Sequence, residues 1–159
     1  MRPWQTVFPA EERAIYEKGG YGQRQTLGRR PALLIVDVTY SFIGRTRQDV
    51  LASIEEFRTS CGEVGWEALP RIRRVLEAAR RAQVTVVFTK GDPEYKAFCG
   101  GSTKGYTSEE ARRLHAESIA DEIAPRSDEF VIRKTKASAF FGTPLATYLT
   151  AHNIDTLLV

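Results

Sequence analysis

A chain of 159 residues can fold as one ordinary domain and is too short for two comfortable ones. A hydrophobic share of 42% and a charged share of 27% are globular values that exclude a disordered or membrane-embedded class. The 23 Lys and Arg residues exceed the 20 Asp and Glu by too little, and are too scattered, to predict a nucleic-acid partner.

In chain order, residues 1–30 read as an N-terminal arm carrying one helix over 9–17. Its apolar residues Trp4, Val7, Phe8, Ile15 and Tyr16 suit packing on the domain or on a neighbouring subunit. The arm lacks the hydrophobic core and small-residue cleavage site of a secretory signal. No apolar run is long enough to span a bilayer, so no membrane partner is expected. Cys61 and Cys99 are too few and too far apart for a disulfide framework or metal cluster, and the expected location is a reducing cytoplasm.

Residues 31–38, "PALLIVDV", form a nearly continuous apolar run ending in an acid, the pattern of a parallel strand buried on both faces. Helical spacing follows over 65–83. Leu69, Ile72, Leu76 and Ala79 share one face, while Glu67 and Arg71, and Glu77 and Arg81, form i,i+4 pairs on the other. "VTVVFTKG" (84–91) is a second strand, closed by Gly91, Asp92 and Pro93. A loop around Gly100, Gly101 and Gly105 reads as a flap. It lacks the Gly-Lys-Ser/Thr ending of a phosphate loop, and no strand leads directly into it.

A polar helix is predicted from Ser108, and "EFVIRKTK" (129–136) is a third strand. Thr143 can cap the next helix with Pro144 as its first residue. Leu145, Tyr148 and Leu149 line its inner face, and Asn153 is a stop. "DTLLV" (155–159) begins a fourth strand of central-strand character. A buried strand ending on a free carboxylate at Val159 would be costly, so the native polypeptide is expected to continue. Strands alternating with helices predict right-handed crossovers and an α/β fold of three layers, Rossmann-like, with a parallel sheet between helices.

In open parallel sheets ligands sit at the carboxyl ends of the strands. Asp37 ends the first strand and Lys134 stands at the corresponding end of the third. An acid and an ammonium on one rim can face each other across a cleft, or form a structural ion pair. His115 and His152, each expected on a helix, make no metal cluster. Neither Cys61 nor Cys99 is expected at a helix N-terminus, where a thiolate is best stabilised.

"ALLIVDVTYSF", "VIRKTKASAFFGTPLATYL" and "DTLLV" resemble, in order, three blocks of the isochorismatase-like cysteine hydrolases, and "SCGEVGWEALPRI" is similar to the N-carbamoylsarcosine amidase branch. The resemblance covers most of residues 31–159. It implies that Asp37 and Lys134 are catalytic and that Phe42 is the substrate-binding aromatic five residues after the acid. Lys136 is the alternative lysine, expected two residues further on the same strand face. Thr39 replaces the family's glutamine.

The resemblance also places the nucleophilic cysteine after the fourth strand, beyond Val159. The implied chemistry is hydrolysis of a C–N bond in a small amide or ureido compound through a thioester, with release of ammonia and with no metal or other cofactor. The divalent-ion branch has histidines where this chain reads "TKGDPEYKAF". A homodimer or homotetramer is the implied assembly. The alternatives are an isochorismatase-type vinyl-ether hydrolase, needing the acid and lysine but no thiol, and a catalytically silent metabolite-binding member.

Overall fold

A computed structural model describes residues 7–24, 26–99 and 108–159. The predicted flap at Gly100, Gly101 and Gly105 lies outside the described residues. Four strands, β1 (Pro31–Val36), β2 (Thr85–Gly91), β3 (Phe130–Lys134) and β4 (Thr156–Leu158), form one parallel sheet in the order β3-β2-β1-β4. The register is continuous across the middle: Val36 pairs with Thr89, Thr89 with Ile132, and Gly91 with Lys134. The chain moves outward from β1 to β3 and returns to the other side of β1 for β4. That reversal puts successive crossover helices on opposite faces.

Two cores result. On one face Leu33, Ile35, Val86 and Phe88 pack with Leu69 and Leu76 of α4 (Glu63–Arg81) and with Phe57 and Ile123. On the other, Leu34, Val87 and Ile132 meet Leu145 of α7 (Leu145–Ala151). Strand alternation sorts the odd and even positions between these faces. The predicted three-layer arrangement is therefore the observed one. Among the described residues no helix is long and apolar enough to cross a membrane. The arm helix α1 (Ala10–Lys18) buries none of its residues. The segment joining it to β1 is held where Asp155 accepts the backbone N–H groups of Arg29 and Arg30.

Several local expectations are corrected. Short helices α2 (Tyr40–Ile43) and α3 (Val50–Glu56) follow β1. Another, α5 (Pro93–Cys99), which the sequence reading did not assign, follows β2, with Asp92 Oδ1 accepting the Glu94 and Tyr95 N–H groups as its cap. Pairing in β3 stops at Lys134 because its partner strand ends at Gly91, so Lys136 lies beyond the strand. In α4, Glu67 reaches Arg47 at 3.2 Å and Glu77 reaches Arg80 at 2.9 Å, rather than Arg71 and Arg81. His115 follows α6 (Ser108–Arg113) in the left-handed region, and His152 closes α7, so neither stands within a helix. The assigned α7 begins at Leu145, yet Thr143 Oγ still accepts the Leu145 N–H as expected.

Gly65 sits buried inside α4. A methyl group there would meet Cys61 Sγ at 2.8 Å and the buried Ile43 Cγ2 at 2.9 Å. Alanine would gain about 1 kcal/mol of helix propensity against an overpacking cost of about 1–3 kcal/mol. Gly65→Ala is therefore expected to lower stability in a urea titration; a higher midpoint would show that the α2–α4 contact has slack.

Candidate active site

The site is assembled by three strand ends. Asp37 follows β1 directly and adopts φ +52°, a left-handed conformation that is uncommon for residues other than glycine. Lys134 closes β3, one strand beyond β2, so its side chain must cross the end of β2 to reach Asp37. Strands two apart lie roughly 10 Å from each other, a gap that suits a long lysine. The residues crossed are small: Gly91 pairs with Lys134, and Thr89 pairs with Val36 just before Asp37.

Lys134 Nζ stands 2.6 Å from Asp37 Oδ2, with the two side chains 9% and 18% exposed. The ammonium also donates to the Lys136 carbonyl at 3.5 Å. Thr89, wholly buried, donates its hydroxyl to Asp37 Oδ1 at 2.7 Å. The carboxylate thus has a donor on each oxygen. An ion pair this dry is costly to break, because either charge left alone faces the desolvation that the other offsets. The structure brings together Asp37 and Lys134, and places the Lys136 carbonyl beside the lysine ammonium.

Phe42 lies on α2, 43% exposed, and its carbonyl accepts both the Cys61 N–H at 2.8 Å and the Cys61 thiol at 3.0 Å. Cys61 immediately precedes Gly62, the N-cap of α4, so the expectation that it stands away from a helix N-terminus is corrected. Its S–H is engaged as a donor to that carbonyl. Thr39 is fully buried and shares a hydrogen bond with Ser41, so in this structure it lines no open surface. Tyr40, beside it, has its phenol pushed up by burial, and its oxygen accepts the Asp121 N–H.

Sequence reading passed over Thr89 and Asp92. The signal for Thr89 was a hydroxyl directly after the apolar run 86–88 of β2; for Asp92 it was an Asp-Pro step opening a helix. Asp92, almost fully buried, pairs with Arg133 at 2.9 Å and donates its N–H to the Lys134 carbonyl. It thereby holds the backbone from which the lysine projects. A cavity of about 320 Å³ opens nearby, lined by Lys90, Glu94, Arg112, His115, Glu117 and Arg133. Lys90 and Arg133 alternate with Thr89 and Lys134 along their strands, so this cavity and the Asp37–Lys134 pair occupy opposite faces of the sheet.

Residues 31–159 match the family described as the Isochorismatase domain. The chain is 32% identical over 153 residues to N-carbamoylsarcosine amidase of Arthrobacter sp, covering 92% of this chain and 54% of that protein. It is 29% identical over 157 residues to maleamate amidohydrolase of Pseudomonas putida, covering 89% and 63%. The crystal structure of N-carbamoylsarcosine amidase from Thermoplasma acidophilum superimposes with a TM-score of 0.51 at 28% identity, over 80% of this chain and 65% of that one. The chain thus spans between about half and two-thirds of the length of these relatives.

Proposed function

This chain belongs to the isochorismatase family, and on that premise we propose that it is part of a cysteine amidohydrolase acting on a small carbamoyl or amide compound. The carrying observation is the Asp37–Lys134 contact of 2.6 Å at the carboxyl rim of the sheet, in a chain similar to amide-hydrolysing enzymes. In this reading the nucleophile is a cysteine thiol, which the family resemblance implies after β4.

In this reading Asp37 takes the thiol proton, and sulfur attacks the carbonyl carbon of the substrate. The Lys134 ammonium favours the thiolate as it forms and balances the carboxylate before and after proton transfer. Collapse of the tetrahedral adduct breaks the C–N bond. The proton held by Asp37 passes to the nitrogen, and ammonia leaves. Water, deprotonated by Asp37, then cleaves the thioester to give the acid, and the proton returns to sulfur. Each turnover consumes one water and restores the ion pair.

The test is ammonia release by the full-length protein from a panel of N-carbamoyl and primary-amide compounds, with and without prior iodoacetamide. Release that iodoacetamide abolishes is the expected result. Undiminished release after alkylation would eliminate the thiol route. No release from any compound would replace hydrolysis with metabolite binding.

A further inference from the structure

We infer that Thr89 is a positioning residue for Asp37, a single hydroxyl that clasps both the backbone and the side chain of the proposed base. The inference rests on the amidohydrolase reading for its kinetic consequences, although the clasp itself is geometric. Thr89 Oγ donates its one proton to Asp37 Oδ1 at 2.7 Å and accepts the N–H of the same residue at 3.2 Å. The Thr89 carbonyl shares that N–H at 3.2 Å. A hydroxyl has one proton to give and lone pairs to receive, so this one can close a ring on a single neighbour.

The ring has something to hold. Asp37 stands at φ +52°, a strained conformation for a residue with a side chain, which persists only where its surroundings over-determine it. Released from Thr89, the backbone could relax and the carboxylate could turn about its Cα–Cβ and Cβ–Cγ bonds, with Lys134 alone to restrain it. Lys134 does not fix the orientation by itself, because an ammonium on a flexible stem can follow a carboxylate through a range of angles. With Thr89 on one oxygen and Lys134 on the other, the lone pairs left over point in one direction. A thiol must approach from there.

Among the described residues, the side-chain contacts to the carboxylate come from the Lys134 ammonium of β3 and the Thr89 hydroxyl of β2. Helix α7, on the same face, carries no charged residue in "LATYLTA", and β4 carries none in "TLL". Among the described residues, Thr89 is thus the neutral donor on a group whose charge Lys134 balances. Its burial leaves it no route to substrate, which separates its role from that of a catalytic residue.

The experiment compares Thr89→Val, which keeps the shape and deletes the hydroxyl, with Thr89→Ser, which keeps the hydroxyl and deletes the methyl, both in the full-length protein. Thr89→Val is expected to lower kcat about ten- to a hundredfold, the effect of a misplaced reacting group, with KM changed less than about threefold. The acidic limb of its kcat/KM profile should move to higher pH, because a carboxylate that loses a donor holds its proton more tightly. Thr89→Ser should recover most of the rate and the original limb. A Val variant within threefold of the parent, or a Ser variant as damaged as the Val variant, would overturn the inference.

A second measurement is independent of turnover: the Asp37 carboxyl carbon followed by NMR across the pH range. Its midpoint should rise in Thr89→Val and return in Thr89→Ser. Should the parent hydrolyse no amide while this shift is seen, the functional reading fails and the clasp stands. An unmoved midpoint in the Val variant would refute the clasp whatever the enzyme does.

Discussion

On the proposed amidohydrolase reading, Asp37→Asn in the full-length protein is expected to lose about 10²–10⁴-fold in kcat/KM for amide hydrolysis, the range that a positioned general base supplies. Asparagine matches aspartate in shape and tolerates the left-handed backbone at this position, so local conformation should survive. What disappears is the proton acceptor. The change also leaves the Lys134 ammonium, 9% exposed, with no anion beside it. Stability should therefore fall by up to about 3 kcal/mol, as for other half-broken buried pairs.

Lys134→Met should fall by a similar amount for the mirrored reason, a carboxylate without its cation. The double variant Asp37→Asn/Lys134→Met separates the two effects. Removing both charges at once should restore most of the stability and none of the activity. Thermal unfolding and ammonia release on the three proteins form one cycle. Activity returning along with stability, or an Asp37→Asn enzyme within tenfold of the parent, would remove Asp37 from the chemistry and leave a structural ion pair.

Why the sequence disclosed this pair but not its setting is a matter of where the information lies. A parallel strand buried on both faces writes its own signature, an apolar run of five or six residues, so β1 and β2 were legible within a residue or two. The end of β3 is not written in β3. It is decided by Gly91 on the neighbouring strand, where pairing ceases and Asp92 turns to bond the Lys134 carbonyl. That is why an alternation argument running on to Lys136 overshot.

Short helices fail for a different reason. Four residues in α2 or seven in α5 do not complete enough turns to show a period, and α5 is marked chiefly by its cap. Asp37 and Lys134 could be singled out because charges at the ends of buried runs are conspicuous. Thr89 could not, since a threonine late in a strand is ordinary until register sets it beside the acid. The ion pairs of α4 were misassigned likewise: Glu67 finds Arg47 across a loop, a contact that helical spacing does not encode.

At the opposite end of the sheet, Arg80→Ala is expected to be the most destabilising single change away from the site. Arg80 and Glu129 are each only 8% exposed and meet in a forked pair, Nε to Oε1 at 2.8 Å and Nη2 to Oε2 at 2.7 Å. Arg80 also donates to the Ala124 carbonyl and to Glu77, tying the C-terminal turn of α4 to the start of β3. Truncation leaves Glu129 buried with only the Arg126 N–H to answer it. The expected loss is about 3–5 kcal/mol, which for a domain of this size is roughly 6–20 °C in Tm.

The pH dependence gives the assignment a second check. Burial pushes the Glu129 carboxyl up, but the Arg80 guanidinium and the Arg126 N–H outweigh it and hold the group below its ordinary 4.5. A carboxyl depressed by folding contributes stability that is complete above its unfolded value and is lost as pH falls through the folded one. The parent should therefore weaken as the pH drops below about 4.5. Without Arg80 the burial is opposed by Arg126 but no longer by the forked guanidinium, so Glu129 protonates at higher pH and the variant escapes that part of the acid penalty. The stability gap between the two proteins should narrow on acidification, and Arg80→Met/Glu129→Leu should close most of it at neutral pH. A gap that stays constant from pH 7 to 4 would mean that Arg80 supports the fold through the packing of its stem and not through its charge.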